Sequence, residues 1–170
     1  MSILVAYASR YGATREIAER IAAKLRAAGR EAEARPLKAA GDLAGYDGFV
    51  VGSAVYFGSW LKEATEFVRR NHAVLASRPV WLFSSDPIGA GAADAEGRDS
   101  REAAEPRQIA EFRQAVDPRE HRVFFGKLDR RKLGFVDRLV ASLPAFPGLE
   151  GDFRDWDDLD AWAERIAGEG

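Results

Sequence analysis

Three nearly continuous apolar runs constrain the fold of this chain more than any other feature. They are ILVAYA (3–8), GFVVGSAV (48–55) and PVWLFSS (79–85). Continuous rather than alternating apolar character is typical of parallel strands that are covered on both faces of a sheet. The run REAEARPL (30–37) alternates and suits an edge strand, and HRVFFGKL (121–128) supplies a fifth strand.

Helical patterns separate these runs. Apolar residues recur at helical spacing in four segments, 14–28, 59–76, 101–116 and 155–167, the third of which is expected to be helical at least after Pro106. Asp155 is expected to cap the last of these helices. Alternating strands and helices predict an α/β fold, a doubly wound sheet of five parallel strands in the order 2-1-3-4-5 with helices on both faces. We expect one domain over 1–170, with a long connection at 129–154 before the C-terminal helix.

Composition excludes several classes of site. The 170 residues include no cysteine, so disulfides, Cys-ligated metals and thiol nucleophiles are excluded. The net charge of −2 offers no global attraction to nucleic acid. The chain shows neither a secretory signal pattern nor a run of about 18 apolar residues, so we expect a cytoplasmic protein. His72 and His121 lack metal-ligand spacing and are interpreted as structural; no metal site and no catalytic side chain is predicted.

The candidate site lies where ligands bind in doubly wound sheets, beyond the carboxyl ends of the strands. The loop SRYGAT (9–14) follows the first strand directly and precedes a helix. Gly12 lets the backbone turn closely, and a helix N-terminus presents free N–H groups to an anion, so the loop suits a phosphate monoester. An ordinary strand-to-helix turn is the open alternative.

Two further loops reach the same edge. In GSAVYFGSW (52–60), Tyr56, Phe57 and Trp60 could stack on a planar ring, or Phe57 and Trp60 could pack beneath the following helix. Gly52 and Gly58 would permit close approach of a ligand. The polar loop that begins SSDP (84–87) could bond the polar edge of a ring or form an Asx-type turn.

The loops carry a resemblance to the flavodoxin-like family, whose members bind FMN. Ser9, Gly12 and Thr14 match the family's phosphate-loop pattern T/S-x-T/S-G-x-T, and Tyr11 stands at its third position. The resemblance implies FMN as the cofactor. The implied contacts are, for the phosphate, Ser9, Arg10, Tyr11, Gly12, Ala13 and Thr14, and, for the flavin ring, Ala54, Val55, Tyr56, Phe57, Gly58, Ser84, Ser85 and Asp86.

Within that family, the chain looks most similar to the menaquinone-dependent protoporphyrinogen IX dehydrogenases. The similarity extends over LVAYASRYGATREIAERIAAKL, YDGFVVGSAVYFGSWLKEATEFVRRN and FFGKLDRRKLGFVDRLVASL. It implies hydride transfer from a porphyrinogen to the flavin, which a quinone reoxidises. The basic, amphipathic stretch 127–143 would then be an interfacial helix at the inner face of the membrane, a homodimer contact, a lid over a flat substrate, or only a surface helix.

Other functions are compatible with the same loops. An FMN electron carrier would exchange single electrons with protein partners, and an NAD(P)H:quinone reductase would be reduced by NAD(P)H alone. A phosphate-responsive signalling module of similar topology would need acidic residues after the first strand, where YASRYGAT has none.

Overall fold

A computed structural model describes residues 1–86, 105–125, 127–128, 151–152 and 154–169. Its strands are β1 (Ser2–Ala8), β2 (Glu31–Pro36), β3 (Gly48–Tyr56), β4 (Ser59–Trp60), β5 (Val80–Asp86), β6 (Glu120–Phe125), β7 (Lys127–Leu128) and β8 (Gly151–Asp152). The main sheet has five parallel strands in the order β2-β1-β3-β5-β6, and β4 pairs with β3 as a sixth, antiparallel strand. This confirms the predicted doubly wound order, with β2 as an edge strand.

The helices cover both faces of the sheet, as predicted. They are α1 (Ala13–Ala27), α2 (Lys62–Arg70), α3 (His72–Ala76), α4 (Ile109–Val116) and α5 (Trp156–Glu169). Helices α1 and α5 pack with one apolar cluster, and α2, α3 and α4 pack with the other. The predicted cap of α5 is confirmed, because the Asp158 amide donates a 3.0 Å hydrogen bond to Asp155 Oδ1.

The prediction of one helix over 59–76 is wrong. Ser59 and Trp60 form strand β4, which pairs antiparallel with the end of β3, and the helix begins only at Lys62. It is also interrupted at Asn71, whose side-chain amide donates to the Phe67 carbonyl. The apolar spacing was misleading, because Trp60 matches the helical period but packs from a strand.

The last third of the chain also differs from expectation. The predicted strand 121–128 ends at Phe125, and β7 pairs antiparallel with β8 instead of continuing the main sheet. Helix α4 begins at Ile109, within the predicted 101–116. Residues 87–104 and most of 129–154 lie outside the described residues, and so does the amphipathic pattern of 127–143 apart from β7. Within the described residues, no helix has the length and apolarity needed to cross a bilayer.

Candidate functional site

The three candidate loops leave adjacent strands at one edge of the main sheet. Strands β1, β3 and β5 are neighbours, and their carboxyl ends are in register through Ala8 with Ser53 and Ala54 with Ser85. The loops that begin at Ser9 and Phe57, and the end of β5 at Asp86, therefore share this edge. It is the location at which doubly wound sheets hold ligands.

The first loop forms an open cradle at the start of α1. Gly12 precedes the helix with φ of +94°, which is left-handed backbone that glycine adopts without strain. Its amide donates a 3.1 Å hydrogen bond to Ser9 Oγ. A Cβ at this position would meet nothing within 4 Å. The space beside Gly12 is therefore open, and among the described residues no side-chain cap hydrogen bond is made at the N-cap of α1.

The second loop is a tight hairpin turn. Tyr56 pairs with Ser59, leaving only Phe57 and Gly58 in the turn. Their φ angles are +52° and +74°, the signs that a type I′ turn requires at its two central positions. Phe57 is 70% exposed, so it does not pack beneath the following helix. A bulky residue in left-handed backbone is strained, and such strain is concentrated at functional sites.

Arg10 joins the first two loops. Its guanidinium carbon lies 5.5 Å from the centroid of the Tyr11 ring and 5.4 Å from that of Tyr56. The two tyrosine rings meet edge to face, with centroids 6.3 Å apart. The sequence-predicted residues Arg10, Tyr11 and Tyr56 are therefore brought together in one cluster, which we call the Arg10 cluster.

Several predicted site residues are buried in the sheet. Ala54 and Val55 are 4% and 2% exposed, and Ser84 and Ser85 are 0% and 2% exposed. Asp86, half-buried, ends β5. Ser84 is not open to the edge, because its side chain is buried and Trp60 Nε1 donates a 2.8 Å hydrogen bond to its hydroxyl oxygen.

Packing in the core decides the roles of Trp60 and Gly52. Trp60 is 3% exposed and lies 5.1 Å from the Phe112 ring, so it belongs to the core as the alternative interpretation expected. Gly52 does not leave room for a ligand, which corrects the prediction for that glycine. A Cβ there would lie 2.1 Å from the Phe83 ring, so the absence of a side chain serves core packing.

Sequence reasoning missed a series of hydrogen-bonded polar side chains behind the turn, which is buried at Ser84 and His121 and reaches the surface at Glu105. His121 Nε2 lies 2.8 Å from Ser84 Oγ, and His121 Nδ1 lies 3.3 Å from Glu105 Oε1. Arg113 binds both oxygens of Glu105, at 2.5 and 3.1 Å. Ser84 and His121 lie on the neighbouring strands β5 and β6, and Glu105 comes from the segment before α4, so three separate parts of the sequence meet here.

Burial and neighbouring charges determine the protonation states of His121 and Glu105. Desolvation lowers the pKa of His121 from 6.5 to about 4, and this outweighs the attraction of Glu105. Burial raises the pKa of Glu105, but the Arg113 guanidinium and His121 more than offset it, so this pKa lies below its ordinary value. The histidine is therefore neutral and the carboxylate charged near pH 7. No cluster of metal-ligating side chains occurs among the residues that the structure describes.

A family model described as the flavodoxin domain matches residues 4–145. This chain belongs to the flavodoxin domain family. The matched segment spans β1 through the described part of β7 and thus contains all three loops. Membership implies FMN as the cofactor of this flavodoxin-domain protein. No curated protein matches the sequence.

Solved structures share the fold at low identity. A flavodoxin from the domain Archaea aligns with a TM-score of 0.60 and 17% identity, covering 99% of this chain and 98% of its own. Flavodoxin 2 from Bacillus cereus aligns with a TM-score of 0.61 and 20% identity, with 100% of both chains covered. The rubredoxin oxygen:oxidoreductase of Desulfovibrio gigas aligns with a TM-score of 0.62 and 13% identity; this chain spans only 35% of that enzyme.

The described residues fit FMN at this edge. The cradle at Gly12 leaves open space at a helix N-terminus, where the N–H groups and the helix dipole favour a phosphate. Tyr56 and the exposed Phe57 offer aromatic surface beside it. Val55 and Ala54 can reach a ligand only through their backbone, because their side chains are buried.

Proposed function

We propose that this flavodoxin-domain protein is an FMN-dependent oxidoreductase of the protoporphyrinogen dehydrogenase type. It would take hydride from a porphyrinogen and pass the electrons to a quinone. The sequence resemblance described above motivates the choice of substrate, and the arrangement of the rim of the site supports it.

The observation that carries the proposal is an exposed aromatic side chain next to a cation. Phe57 is 70% exposed at the tip of the turn. Its neighbour Tyr56 lies beneath the Arg10 guanidinium. A porphyrinogen combines a broad apolar ring system with carboxylate side chains. The apolar part would pack on Phe57, and a carboxylate would pair with the Arg10 guanidinium.

The chain's own residues would act by binding and orientation. The Ser9–Thr14 loop would hold the phosphate at the start of α1, and Tyr56 would contact the flavin ring. Bound FMN supplies the hydride-accepting chemistry. Arg10 would keep a positive charge beside the Tyr56 ring. We assign no side-chain acid or base: the hydride would pass to the flavin, and the proton that the porphyrinogen loses with it would pass to solvent.

The test is the visible spectrum of the FMN-loaded protein before and after anaerobic addition of protoporphyrinogen IX. The proposal predicts bleaching of the flavin band and its return when a soluble naphthoquinone is added. The Phe57→Ser variant, compared with the wild-type protein at saturating FMN, should bleach more slowly. A flavin band that persists in the wild-type protein would remove the porphyrinogen from the account while leaving the cofactor in place.

An electron carrier is the alternative, and the flavodoxins among the structural neighbours favour it. Such a protein would show two separate one-electron steps in a redox titration and no reduction by protoporphyrinogen IX. A third possibility, an NAD(P)H:quinone reductase, predicts bleaching on addition of NAD(P)H alone. Anaerobic spectra of the FMN-loaded protein with protoporphyrinogen IX, with NAD(P)H and during a redox titration therefore separate the three functions.

A further inference from the structure

The turn that carries Phe57 is strained and must be held from outside. Phe57 and Gly58 both have positive φ, and a side chain with a Cβ adopts that backbone at a cost. Glycine, asparagine and aspartate are the residues that type I′ turns favour, and phenylalanine is not among them. An isolated two-strand hairpin is at best marginally stable in water. The conformation of this turn therefore depends on its surroundings.

Hydrogen bonds donated by three backbone amides hold the turn and strand β4. The Arg107 amide donates to the Gly58 carbonyl at 3.2 Å, and the Trp60 amide donates to Gln108 Oε1 at 3.3 Å. The Leu61 amide donates to Ser53 Oγ at 3.0 Å. These bonds fasten the two ends of β4 to β3 and to the segment that leads into α4.

A series of side-chain hydrogen bonds also holds the turn, and it runs from Trp60 through Ser84 and His121 to Glu105. The indole of Trp60 can only donate, so Ser84 Oγ is the acceptor in their 2.8 Å hydrogen bond. The Ser84 hydroxyl is then free to donate to His121 Nε2 at 2.8 Å. His121 carries its proton on Nδ1, facing the Glu105 carboxylate at 3.3 Å. This assignment gives every named polar atom of the chain a partner, with the histidine neutral.

The same three residue types perform nucleophilic catalysis in hydrolases, but not here. Ser84 has no exposed surface, and the His121 side chain is 2% exposed. A nucleophile must reach its substrate, and this hydroxyl lies beneath Trp60. The chain of hydrogen bonds is therefore suited to fixing positions rather than to forming a covalent bond.

We propose that His121 is a positioning residue, which acts through Ser84 and Trp60 to hold the Tyr56–Ser59 turn in the geometry that the flavin ring requires. This inference rests on the proposed binding of the ring at that turn. Without the acceptor at Nε2, the Ser84 hydroxyl loses its partner and the Trp60 indole loses a fixed acceptor. Buried polar groups without partners are costly, so Trp60 would shift and release the strained turn.

Two conservative variants separate positioning from mere stability. His121→Gln retains an amide group near the position of Nε2, where it can accept from Ser84. His121→Asn retains one near the position of Nδ1, facing Glu105, and loses the contact with Ser84. Both remove the ring from the same site, so a purely structural role predicts similar losses. The positioning role predicts that only His121→Asn affects the turn. Val116 lies in the same apolar cluster as Trp60 but takes no part in these side-chain hydrogen bonds, so Val116→Ala controls for general destabilisation.

The experiment measures two quantities for each variant: amide hydrogen exchange over residues 56–61 without FMN, and the FMN dissociation constant by flavin fluorescence. We expect faster exchange and about ten-fold weaker FMN binding in His121→Asn, with near wild-type values in His121→Gln and Val116→Ala. If His121→Asn does not fold, Trp60→Phe removes the indole donor, keeps the packing on Phe112 and should show the same two effects.

The two parts of the account fail differently. A wild-type protein that binds no FMN refutes the proposed function, whatever the exchange shows. If the wild-type protein binds FMN and His121→Asn keeps both slow exchange and wild-type affinity, the positioning role is wrong. It is also wrong if the turn exchanges faster with no loss of affinity, or if His121→Gln and His121→Asn lose affinity equally.

Discussion

The indole Nε1 of Trp60 donates a 2.8 Å hydrogen bond to Ser84 Oγ, and both side chains are buried. This bond ties the aromatic turn after β3 to the end of β5, two segments that are separate in sequence. His121 bonds Ser84 and faces Glu105, so these side chains extend the same series of hydrogen bonds. The rim of the candidate site is therefore held by side chains that lie behind it. The structure therefore supports a preorganised site at this edge, held by residues that do not themselves reach a ligand.

The buried histidine predicts a pH dependence of stability. The folded-state pKa of His121 is about 4, below its ordinary value of 6.5. The unfolded chain thus binds more protons between these values, and stability should fall as pH drops from 6.5 to 4, by about 3 kcal/mol in total. Glu105, whose pKa is lowered, adds to the loss at the acid end. Urea unfolding at several pH values measures this slope.

Two variants control for that slope. His121→Gln should flatten the dependence between pH 6.5 and 4, and Val116→Ala, which leaves His121 in place, should preserve it. Arg113 and Glu120 also act on His121 and are unchanged in both variants. An unaltered slope in His121→Gln would show that another group is responsible.

The strain at Phe57 predicts a stabilising substitution. Asparagine tolerates left-handed backbone, so Phe57→Asn should raise the free energy of unfolding by about 1 kcal/mol, or the Tm by a few degrees. Phe57→Leu keeps both the strain and the apolar surface and should not stabilise. Thermal unfolding provides the comparison. If Phe57→Asn is less stable than the wild-type protein, the side chain has packing partners that outweigh the strain.

The cradle at Gly12 predicts a loss of cofactor. A valine side chain there would project into the open space at the start of α1, where the phosphate is expected, so Gly12→Val should abolish measurable FMN binding. Gly29, just after α1, provides a matched control, since its φ is +82° and its surroundings are equally open. Because both positions have the same kind of backbone strain, either valine should lower the free energy of unfolding by about 1–2 kcal/mol. Gly29→Val should leave FMN affinity unchanged. Tight FMN binding by Gly12→Val would refute the assignment of the loop.

The packing of Gly52 predicts a large loss of stability. A methyl group at this position would overlap the Phe83 ring, and both residues lie in the centre of the sheet. Gly52→Ala should therefore destabilise by about 1–3 kcal/mol. The double variant with Phe83→Leu should recover part of that loss, because the smaller side chain makes room. Chemical denaturation of the single and double variants measures both effects.

The fold was largely readable from the sequence because its strands are short, apolar and separated by helical patterns. Parallel order and the location of the ligand edge follow from general rules for such sheets. The error at 59–76 has a local cause: Trp60 fits a helical period, but its place in a two-residue strand depends on pairing with Val55, which a sequence pattern does not reveal.

The site was only partly readable. The loop residues 9–14 and Tyr56 were predicted as ligand contacts from glycine, hydroxyl and aromatic residues at strand ends, and the structure brings Arg10, Tyr11 and Tyr56 together. The hydrogen-bonded series of Ser84, His121 and Glu105 could not be found in this way, because its contacts depend on the pairing of β5 with β6 and on where the segment before α4 packs. Nothing in the sequence distinguishes a serine that faces the edge from one that bonds a buried tryptophan.

The most direct test of the central claim is a titration of the cofactor-free wild-type protein with FMN, followed by the quenching of flavin fluorescence. The account predicts saturable binding of one FMN per chain, displaced by riboflavin only weakly because the phosphate cradle contributes to affinity. Absence of binding, or equal affinity for riboflavin and FMN, would contradict a phosphate site at Ser9–Thr14.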